Sequence, residues 1–321
     1  MKRRFGRIAT VILFVYVLSG GALAKNLVPG GEIIALELEN SAVVIAGFEE
    51  NLGAAAKEAG LQSGDILQKI DSYSISRAED VSKALQKASG SVTVEICRNG
   101  EKRKMEITPQ KTADGPRLGL YLRQGVSGIG TVTWYDPETQ KFGALGHGVN
   151  DSSGKLLTMS QGRIYAARVA TVKRGKIGQP GQLYGAMQSP QVLGSLQSNT
   201  NQGVFGTAQT PFQGTSLPCA TAQEVKTGNA VIRSTVSGTE VQEYSVKILK
   251  VYPKSQTNGR NLLIKVTDPV LLATTGGIVQ GMSGSPIIQN GKLIGAVTHV
   301  LVNDPTTGYG IFIENMLEAA A

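Results

Sequence analysis

From about residue 112 to its end, the chain is a succession of short apolar runs that end in turns, and this pattern most constrains its fold. The runs at 131–135 and 142–145 are separated by Asp136-Pro137, and those at 287–288 and 293–297 flank Asn290-Gly291, a dipeptide typical of two-residue hairpins. Glycine, at 40 of 321 residues, supplies many tight turns. No long amphipathic helix pattern precedes the last ten residues. The spacing therefore predicts an antiparallel β-barrel or sandwich.

The first 24 residues have the layout of an export signal. A flank with four basic residues precedes an apolar run at 8–18 and a small-residue end at 22–24. The pattern is typical of a secretory signal cleaved before Lys25, or of an uncleaved anchor through residues 8–24 with its positive flank in the cytoplasm. In both cases the remaining chain is exported, and in the second residues 8–24 associate with the membrane.

Residues 26–111 are predicted to form a mixed α/β domain. Segment 59–67, Ala-Gly-Leu-Gln-Ser-Gly-Asp-Ile-Leu, resembles the A-G-L-x-x-G-D-x-I motif of bacterial protease-associated PDZ domains. Ser76-Arg77-Ala78-Glu79 predicts a capping box that opens a helix, and Asn99-Gly100 predicts a hairpin.

The PDZ resemblance implies that an extended peptide, either a C-terminus or an internal segment, is added to a sheet edge. By that resemblance the cradle for the peptide is formed by Gly30, Gly31, Ile34, Ala35 and Leu36. The alternative is a packing module that binds no free terminus. A polar stretch at 112–116 predicts the domain boundary. The expected organisation is a signal or anchor at 1–25, a PDZ domain at 26–111 and a β domain at 112–321.

The charge and the cysteines exclude several classes of function. The net charge is +8, but five of the 32 basic residues lie in the first 25 residues and the others are spread without interleaved aromatic residues, so nucleic-acid binding is not expected. Cys97 and Cys219 lie in different predicted domains, and the chain has two histidines. A structural zinc site and a disulfide framework are therefore excluded, and we expect no metal and no cofactor.

Two glycine-rich motifs in the second domain carry catalytic residue types. His147 lies between Gly146 and Gly148, directly after an apolar run, and Ser283 lies in Gly281-Met282-Ser283-Gly284-Ser285-Pro286. A serine needs a neighbouring base to become a nucleophile, and backbone amides must converge on the developing oxyanion. Glycines beside the serine allow that convergence because they carry no Cβ.

The pattern G-x-S-G-x-P resembles the nucleophile loop of chymotrypsin-like peptidases. That resemblance implies a double β-barrel and an oxyanion hole formed by the amides of Gly281 and Ser283. The histidine precedes the serine by 136 residues (283 − 147), whereas an α/β-hydrolase would need G-x-S-x-G followed by its histidine. Spacing alone does not select the third member among the acids Asp151, Glu224, Glu240, Glu243 and Asp268. The second histidine, His299, lies in an apolar run and is expected to be a buried core residue with satisfied hydrogen bonds.

Taken whole, the chain resembles the stage IV sporulation protein B (SpoIVB) peptidases of endospore-forming bacteria. The resemblance rests on the signal-like start, the PDZ motif, 28–31, 145–149, 173–181, 267–269, 281–286 and 309–314. It implies a catalytic triad of His147, Asp268 and Ser283. It further implies a regulatory serine endopeptidase, exported across the forespore inner membrane into the intermembrane space. Such an enzyme cleaves itself and a membrane-bound regulator, and thereby triggers activation of a late mother-cell sigma factor.

Two alternatives to this reading stay open, a non-catalytic exported PDZ scaffold and an envelope quality-control protease of the HtrA type. The intact His147 and serine motif argue against the scaffold, and the HtrA type usually places its PDZ domain after the protease domain. Met282 stands where digestive zymogens of the chymotrypsin type have an aspartate that pairs with a newly cut amino terminus. Because methionine cannot form that ion pair, activation must work in another way. Our hypothesis is that PDZ engagement controls activity.

Overall fold

The structure is a computed structural model, and it describes residues 25–151, 154–253 and 260–321. The predicted signal or anchor at residues 1–24 lies outside these ranges. Within them, no helix is both long enough and apolar enough to cross a bilayer.

The chain folds into twenty strands and four helices over the described ranges. The first strands are β1 (Asn26–Pro29) and β2 (Ile33–Phe48). They are followed by α1 (Ala54–Glu58), β3 (Ile66–Ile70), β4 (Tyr73–Ser74), α2 (Ala78–Leu85), β5 (Val92–Arg98), β6 (Glu101–Ile107), β7 (Gln110–Thr112) and β8 (Gly115–Arg117). Next come β9 (Leu120–Tyr135), β10 (Lys141–Ala144), β11 (Gln161–Lys173), β12 (Gln182–Thr200), β13 (Gly203–Ala208) and β14 (Leu217–Pro218). The last elements are β15 (Gly228–Ser234), β16 (Gln242–Val251), β17 (Leu262–Val266), α3 (Pro269–Thr275), β18 (Pro286–Gln289), β19 (Lys292–Leu301), β20 (Asp304–Phe312) and α4 (Ile313–Ala319).

Six strands form the first barrel. The antiparallel pairings run from β9 through β10, β13, β12, β11 and β2, and β2 pairs back onto β9, so the ring is closed. Apolar residues alternate along these strands and point inward, as a half-buried strand requires. The core of this barrel includes the buried side chains Leu36, Phe142, Ile164, Leu196 and Val204.

The second barrel is closed by β15, β16, β17, β20, β19 and β18 in that order. Its core includes the buried side chains Ile232, Val246, Ile264, Ile287 and Val297. Asn290 and Gly291 join β18 to β19 with φ angles of 52° and 74°, the left-handed geometry that a two-residue hairpin needs. Two closed antiparallel barrels confirm the predicted mainly β, chymotrypsin-like double-barrel fold.

A smaller unit, here called the PDZ module, is formed by residues 43–124. It packs α1, α2 and β3–β6 against the ends of β2 and β9 around its own apolar core. Asp65 of the predicted motif is 1% exposed and forms an ion pair with Arg98 of β5, with Oδ1 2.6 Å from Nε. Its other oxygen accepts from the Gln62 amide at 2.8 Å. The aspartate therefore ties the turn before β3 to the neighbouring hairpin.

The structure differs from the predicted extent of the PDZ domain, residues 26–111. β1 pairs with β9 and β14, and residues 33–38 of β2 pair with β9 on one side and β11 on the other. Residues 26–38 therefore belong to the first barrel, although the sequence pattern assigned them to the PDZ domain. The PDZ module is inserted between β2 and β9, and both strands run through the module and the barrel.

The predicted peptide cradle at Gly30, Gly31, Ile34, Ala35 and Leu36 is wrong for the same reason. Both edges of this part of β2 are already occupied, so no peptide can be added there. The two glycines serve a close backbone approach: the amides of Gly30 and Gly31 donate to the carbonyls of Thr133 and Val132. A Cβ at Gly30 would lie 2.4 Å from the Val132 carbonyl oxygen.

Candidate active site

Ser283 lies on the turn that precedes β18, and the first barrel holds this turn in place. Thr131 of β9 donates from Oγ1 to the Gly281 carbonyl at 2.8 Å and from its amide to the Ser283 carbonyl at 3.0 Å. Thr133 Oγ1 donates to the Gly284 carbonyl at 2.8 Å. Gly284 has a φ of 97°, and a Cβ there would lie 2.1 Å from the Thr131 carbonyl oxygen. Glycine is therefore required where the two barrels meet.

Two backbone amides of the serine turn differ from their neighbours in the part of the chain that the structure describes. The other amides of the turn donate to neighbouring carbonyls, in the pairs Met282 to Val279, Gly284 to Val297 and Ser285 to Met282. In the part of the chain that the structure describes, we find no protein acceptor for the amides of Gly281 and Ser283. These are the two amides that the chymotrypsin-like pattern assigns to the oxyanion hole. They are available to a carbonyl oxygen, and their role stays a prediction.

His147 follows β10 after a sharp turn in which Leu145 and Gly146 have φ angles of 70° and 69°. Its Nδ1 lies 2.9 Å from the Gly148 carbonyl oxygen. A carbonyl can only accept, so this contact places the proton on Nδ1 and leaves the lone pair on Nε2, as a general base needs. Burial lowers the pKa of His147, and the contact with Gly148 offsets part of that shift. The imidazole is therefore neutral at neutral pH.

Ser283 and His147 line the same cavity, whose volume is about 470 Å³. Gly281 and Gly148 also contribute to its wall. The Ser283 hydroxyl, however, donates to the carbonyl of Thr298 in β19 at 3.0 Å. Among the described residues there is no hydrogen bond between Ser283 and His147. The predicted nucleophile and the predicted base thus line one cavity, but among the described residues they are not hydrogen-bonded to each other.

Asp268 is the predicted site residue that the structure does not bring to this cavity. It is the N-cap of α3, where Oδ1 accepts from the amides of Val270 and Leu271 at 3.0 Å each. Oδ2 accepts from the Ser245 amide at 3.3 Å. A helix N-terminus leaves such amides unpaired, and an aspartate followed by proline satisfies them well. In this arrangement the partner of His147 Nδ1 is the Gly148 carbonyl, and the triad role of Asp268 stays a prediction.

His299 is a site residue that the sequence analysis missed. Its side chain lines the cavity instead of lying in the core, and its ring centroid is 5.3 Å from that of His147. Its Nδ1 is buried and, among the described residues, has no hydrogen-bond partner. Burial, together with smaller effects of His147 and Arg260, lowers the pKa of His299 to about 4. The prediction of a satisfied core histidine is therefore wrong, and the cavity contains two neutral imidazoles.

The described residues contain no group of three or more histidine, cysteine or carboxylate side chains that could bind a metal ion. Cys97 and Cys219 both have free thiols, and burial raises the pKa of the Cys219 thiol to about 12. The cavity itself is lined by Ser283 and by the imidazoles of His147 and His299.

Comparisons with known proteins place two units in the chain. The family model described as SpoIVB peptidase S55 matches residues 114–317, and a PDZ domain model matches residues 51–98. A 58-residue stretch is 45% identical to "Putative zinc metalloprotease SA1105" of Staphylococcus aureus strain N315, and covers 18% of this chain and 14% of that relative. The corresponding protein SAR1238 of strain MRSA252 is 43% identical over the same length. The chain thus spans a small part of the curated relatives it matches.

Among solved structures, the active form of the Rv3671c protease from M. tuberculosis is similar over 60% of this chain and 72% of its own. The TM-score is 0.36 and the sequence identity is 16%. The inactive form of the same protease is similar over 59% of this chain and 81% of its own, with a TM-score of 0.35 and an identity of 16%.

Proposed function

Because the chain belongs to the SpoIVB peptidase S55 family and is a serine endopeptidase, we propose that Ser283 and His147 carry out its peptide-bond hydrolysis. The observation that supports this assignment is that both residues line one cavity, beside two amides that have no acceptor among the described residues. Ser283 Oγ attacks the substrate carbonyl while His147 Nε2 takes its proton. The amides of Gly281 and Ser283 donate to the oxyanion, and the imidazolium then gives its proton to the leaving amine. Water hydrolyses the acyl-enzyme with the same base.

We further propose that the described arrangement is latent and that the free protein also populates the active arrangement as a minor state, so that its self-cleavage and labelling are slow but detectable. The Ser283 hydroxyl donates a hydrogen bond to the Thr298 carbonyl, and the Asp268 carboxylate caps α3. Catalysis by a triad requires Ser283 to turn toward His147 Nε2. It also requires Asp268 to leave its cap and replace the Gly148 carbonyl at Nδ1. Both changes break hydrogen bonds that are formed in the latent arrangement. Each such bond contributes about 1 kcal/mol to the stability of that arrangement.

The substitution Asp268→Asn tests this proposal because asparagine caps a helix about as well as aspartate. We expect stability close to wild type and a loss of activity of about 10⁴-fold, as for a triad whose histidine loses its carboxylate. Ser245→Ala, which changes a side chain next to the cap but keeps the amide that Asp268 accepts from, is the matched control and should keep full activity. Activity of Asp268→Asn within a few fold of wild type would leave Asp268 as a helix cap alone.

The proposed biological role is regulated proteolysis in sporulation. The protein would be exported across the forespore inner membrane into the intermembrane space, cleave itself and cut a membrane-bound regulator that controls a late mother-cell sigma factor. Family membership and the end-to-end sequence resemblance support this role. In a sporulating strain that lacks its own family member, expression of the chain in the forespore should restore a reporter of that sigma factor. Ser283→Ala should not restore it, and restoration by both proteins would contradict a proteolytic role.

A peptide partner of the PDZ module would bind to β9 instead of β2. At residues 120–124, the described strands pair with β9 only on its β2 side, and α2 lies near β9. Gln124 closes one end of that edge, because its side chain accepts from the Ala78 amide and donates to the Ser76 carbonyl. We propose that a C-terminus or an internal segment adds to this edge. Leu122→Pro should abolish peptide binding without removing the barrel, and unchanged binding would contradict the assignment.

Self-cleavage is the direct test of the catalytic proposal. The exported portion, residues 25–321, is incubated beside Ser283→Ala and His147→Ala, and its fragments are identified over time by mass spectrometry. We expect fragments from the wild type alone, and a serine-directed phosphonate should label the wild type at Ser283. Equal fragmentation of all three proteins would indicate a contaminating protease. If the wild type is neither cut nor labelled, the chemistry proposed for Ser283 is wrong.

A further inference from the structure

The cavity beside Ser283 has an uncharged lining. None of its lining residues is an aspartate, glutamate, lysine or arginine. Most of the wall is aliphatic, contributed by the first barrel through Leu36, Leu38, Val126 and Ile129 and by the second barrel through Ile278, Val279 and Val300. A charged substrate side chain in this space would lose its hydration and gain no counter-ion, which is strongly unfavourable.

The aliphatic wall lies close to the reacting atoms. Val300 is two residues after Thr298, whose carbonyl accepts from the Ser283 hydroxyl. Residues 278–280 lead directly into the serine turn, and Ile278 is a buried residue that lines the cavity. The Ile278 side chain rests on the β20 backbone, since a Cβ at Gly308 would lie 2.6 Å from its Cδ1. The second barrel therefore contributes a packed aliphatic wall to the cavity that Ser283 also lines.

The size of the cavity also bears on the substrate. About 470 Å³ falls in the range of roughly 300–1,000 Å³ that is typical of sites that bury most of a small ligand. It is larger than any single side chain. An extended polypeptide can therefore place the residues on both sides of the cut bond in this space.

We infer that the residue whose carbonyl is attacked carries a large aliphatic or aromatic side chain, and that the residues on both sides of the cut bond are uncharged. This inference rests on the proposed function only in requiring Ser283 to be the nucleophile. The substrate of the enzyme is then a polypeptide segment with an apolar stretch that is exposed in an extended conformation. A site for basic residues, as in trypsin-type peptidases, is incompatible with the lining.

The first test measures the reaction of Ser283 with four peptidyl phosphonates that differ only in the residue attached to phosphorus. The residues are analogues of leucine, phenylalanine, lysine and aspartate, and the full-length protein is used. Mass spectrometry measures the rate at which each probe labels Ser283. We expect the leucine and phenylalanine probes to react at least about tenfold faster than the two charged probes. Ser283→Ala should take up none of them.

A matched pair of variants tests whether the wall sets this preference. Val300→Asp places an anion in the cavity. The ratio of the labelling rate with the lysine probe to that with the leucine probe should therefore be at least about tenfold higher than in wild type. Val302→Asp is the control, because Val302 is 48% exposed just beyond the end of β19 and does not line the cavity. Its probe ratios should equal those of wild type. If Val300→Asp does not fold, Val300→Phe narrows the cavity without a charge and should lower the phenylalanine rate relative to an alanine probe.

The outcomes separate the two proposals. Fastest labelling of wild-type Ser283 by the lysine or aspartate probe would overturn the inference and leave the nucleophile assignment intact. Equal probe ratios in Val300→Asp and Val302→Asp, with both proteins folded, would show that this wall does not select the substrate. Failure of every probe to label Ser283 would overturn the proposed function and the inference with it.

Discussion

Replacement of Gly284 by alanine is expected to damage both stability and reactivity, because this glycine lies where the serine turn touches β9. Its φ of 97° is unfavourable for alanine by about 1–2 kcal/mol. The added Cβ would also lie 2.1 Å from the Thr131 carbonyl oxygen and 2.5 Å from the Leu145 amide nitrogen. Both atoms belong to the backbone, so the clash is relieved only if β9 or the turn moves. We expect a total loss of about 3–4 kcal/mol in the free energy of unfolding.

Gly178→Ala separates the two contributions. Gly178 has a similar φ of 78°, but a Cβ there would have no neighbour within 4 Å. The control should lose only the conformational part, about 1–2 kcal/mol. Trp134, the single tryptophan of the chain, is 1% exposed in β9 and gives a fluorescence signal for urea unfolding of the affected barrel.

Reactivity is measured in the same pair of variants by labelling of Ser283 with the leucine phosphonate. A displacement of the serine turn by about 1 Å should lower the rate about 100-fold in Gly284→Ala. Gly178→Ala should label at the wild-type rate. If Gly284→Ala were as stable as Gly178→Ala and labelled equally fast, the contact between the serine turn and β9 would not position the nucleophile.

Three further outcomes are expected. Because burial lowers the pKa of His299 to about 4 while the unfolded value is near 6.5, the unfolded chain binds the extra proton. As the pH is lowered from 6.5 to 4, the free energy of unfolding should therefore decrease by about 1–2 kcal/mol after allowance for screening. In urea unfolding of His299→Gln, the decrease over the same pH range should be smaller. Burial raises the pKa of Asp136, but contacts with Lys25, Thr139 and the Glu138 amide lower it below its usual value. Stability from this carboxylate is present above its unfolded pKa and is lost as pH falls through its folded pKa. Lys25→Met should therefore cost about 0.5–1 kcal/mol at neutral pH, a discounted value because Lys25 is 45% exposed, and the cost should shrink in acid. Asp65→Asn removes the charge of the PDZ-motif aspartate that pairs with Arg98, so the melting temperature should fall. Asp71→Asn, which lies on an exposed turn, should lower the melting temperature less.

Local signals predicted local structure well. Asn99-Gly100 and Asn290-Gly291 both form the two-residue hairpins that their sequence indicates. The predicted helix after Ser76 is also present, but Asp80 instead of Glu79 accepts from the amides of Ser76 and Arg77. The two motifs that contain His147 and Ser283 were recognised from glycine-flanked turns at strand ends, and both residues line one cavity.

Pairing between distant strands could not be predicted in the same way. The sequence at residues 33–38 does not show that their strand partners are β9 and β11, which lie 88 or more residues away along the chain. Asp268 was assigned by resemblance, whereas the local sequence Asp268-Pro269 followed by apolar residues also indicates a helix N-cap. Thr131 and Thr133 offered a signal that was not used: polar residues inside an apolar strand need partners, and here those partners are the carbonyls of the serine turn.

The path of β2 and β9 makes the PDZ module an oversized hairpin loop. Leu38 of β2 lies opposite Val126 of β9, so the chain leaves the barrel and returns to it at adjacent points. An Asn-Gly turn in place of residues 40–124 would therefore join the two arms without breaking the barrel. Deletion of residues 26–111 would instead remove β1 and β2 and open the barrel. Such an attachment allows one module to be exchanged for another over evolution. It also means that any twist imposed on the hairpin arms by a bound peptide reaches Thr131, a few residues along the same strand.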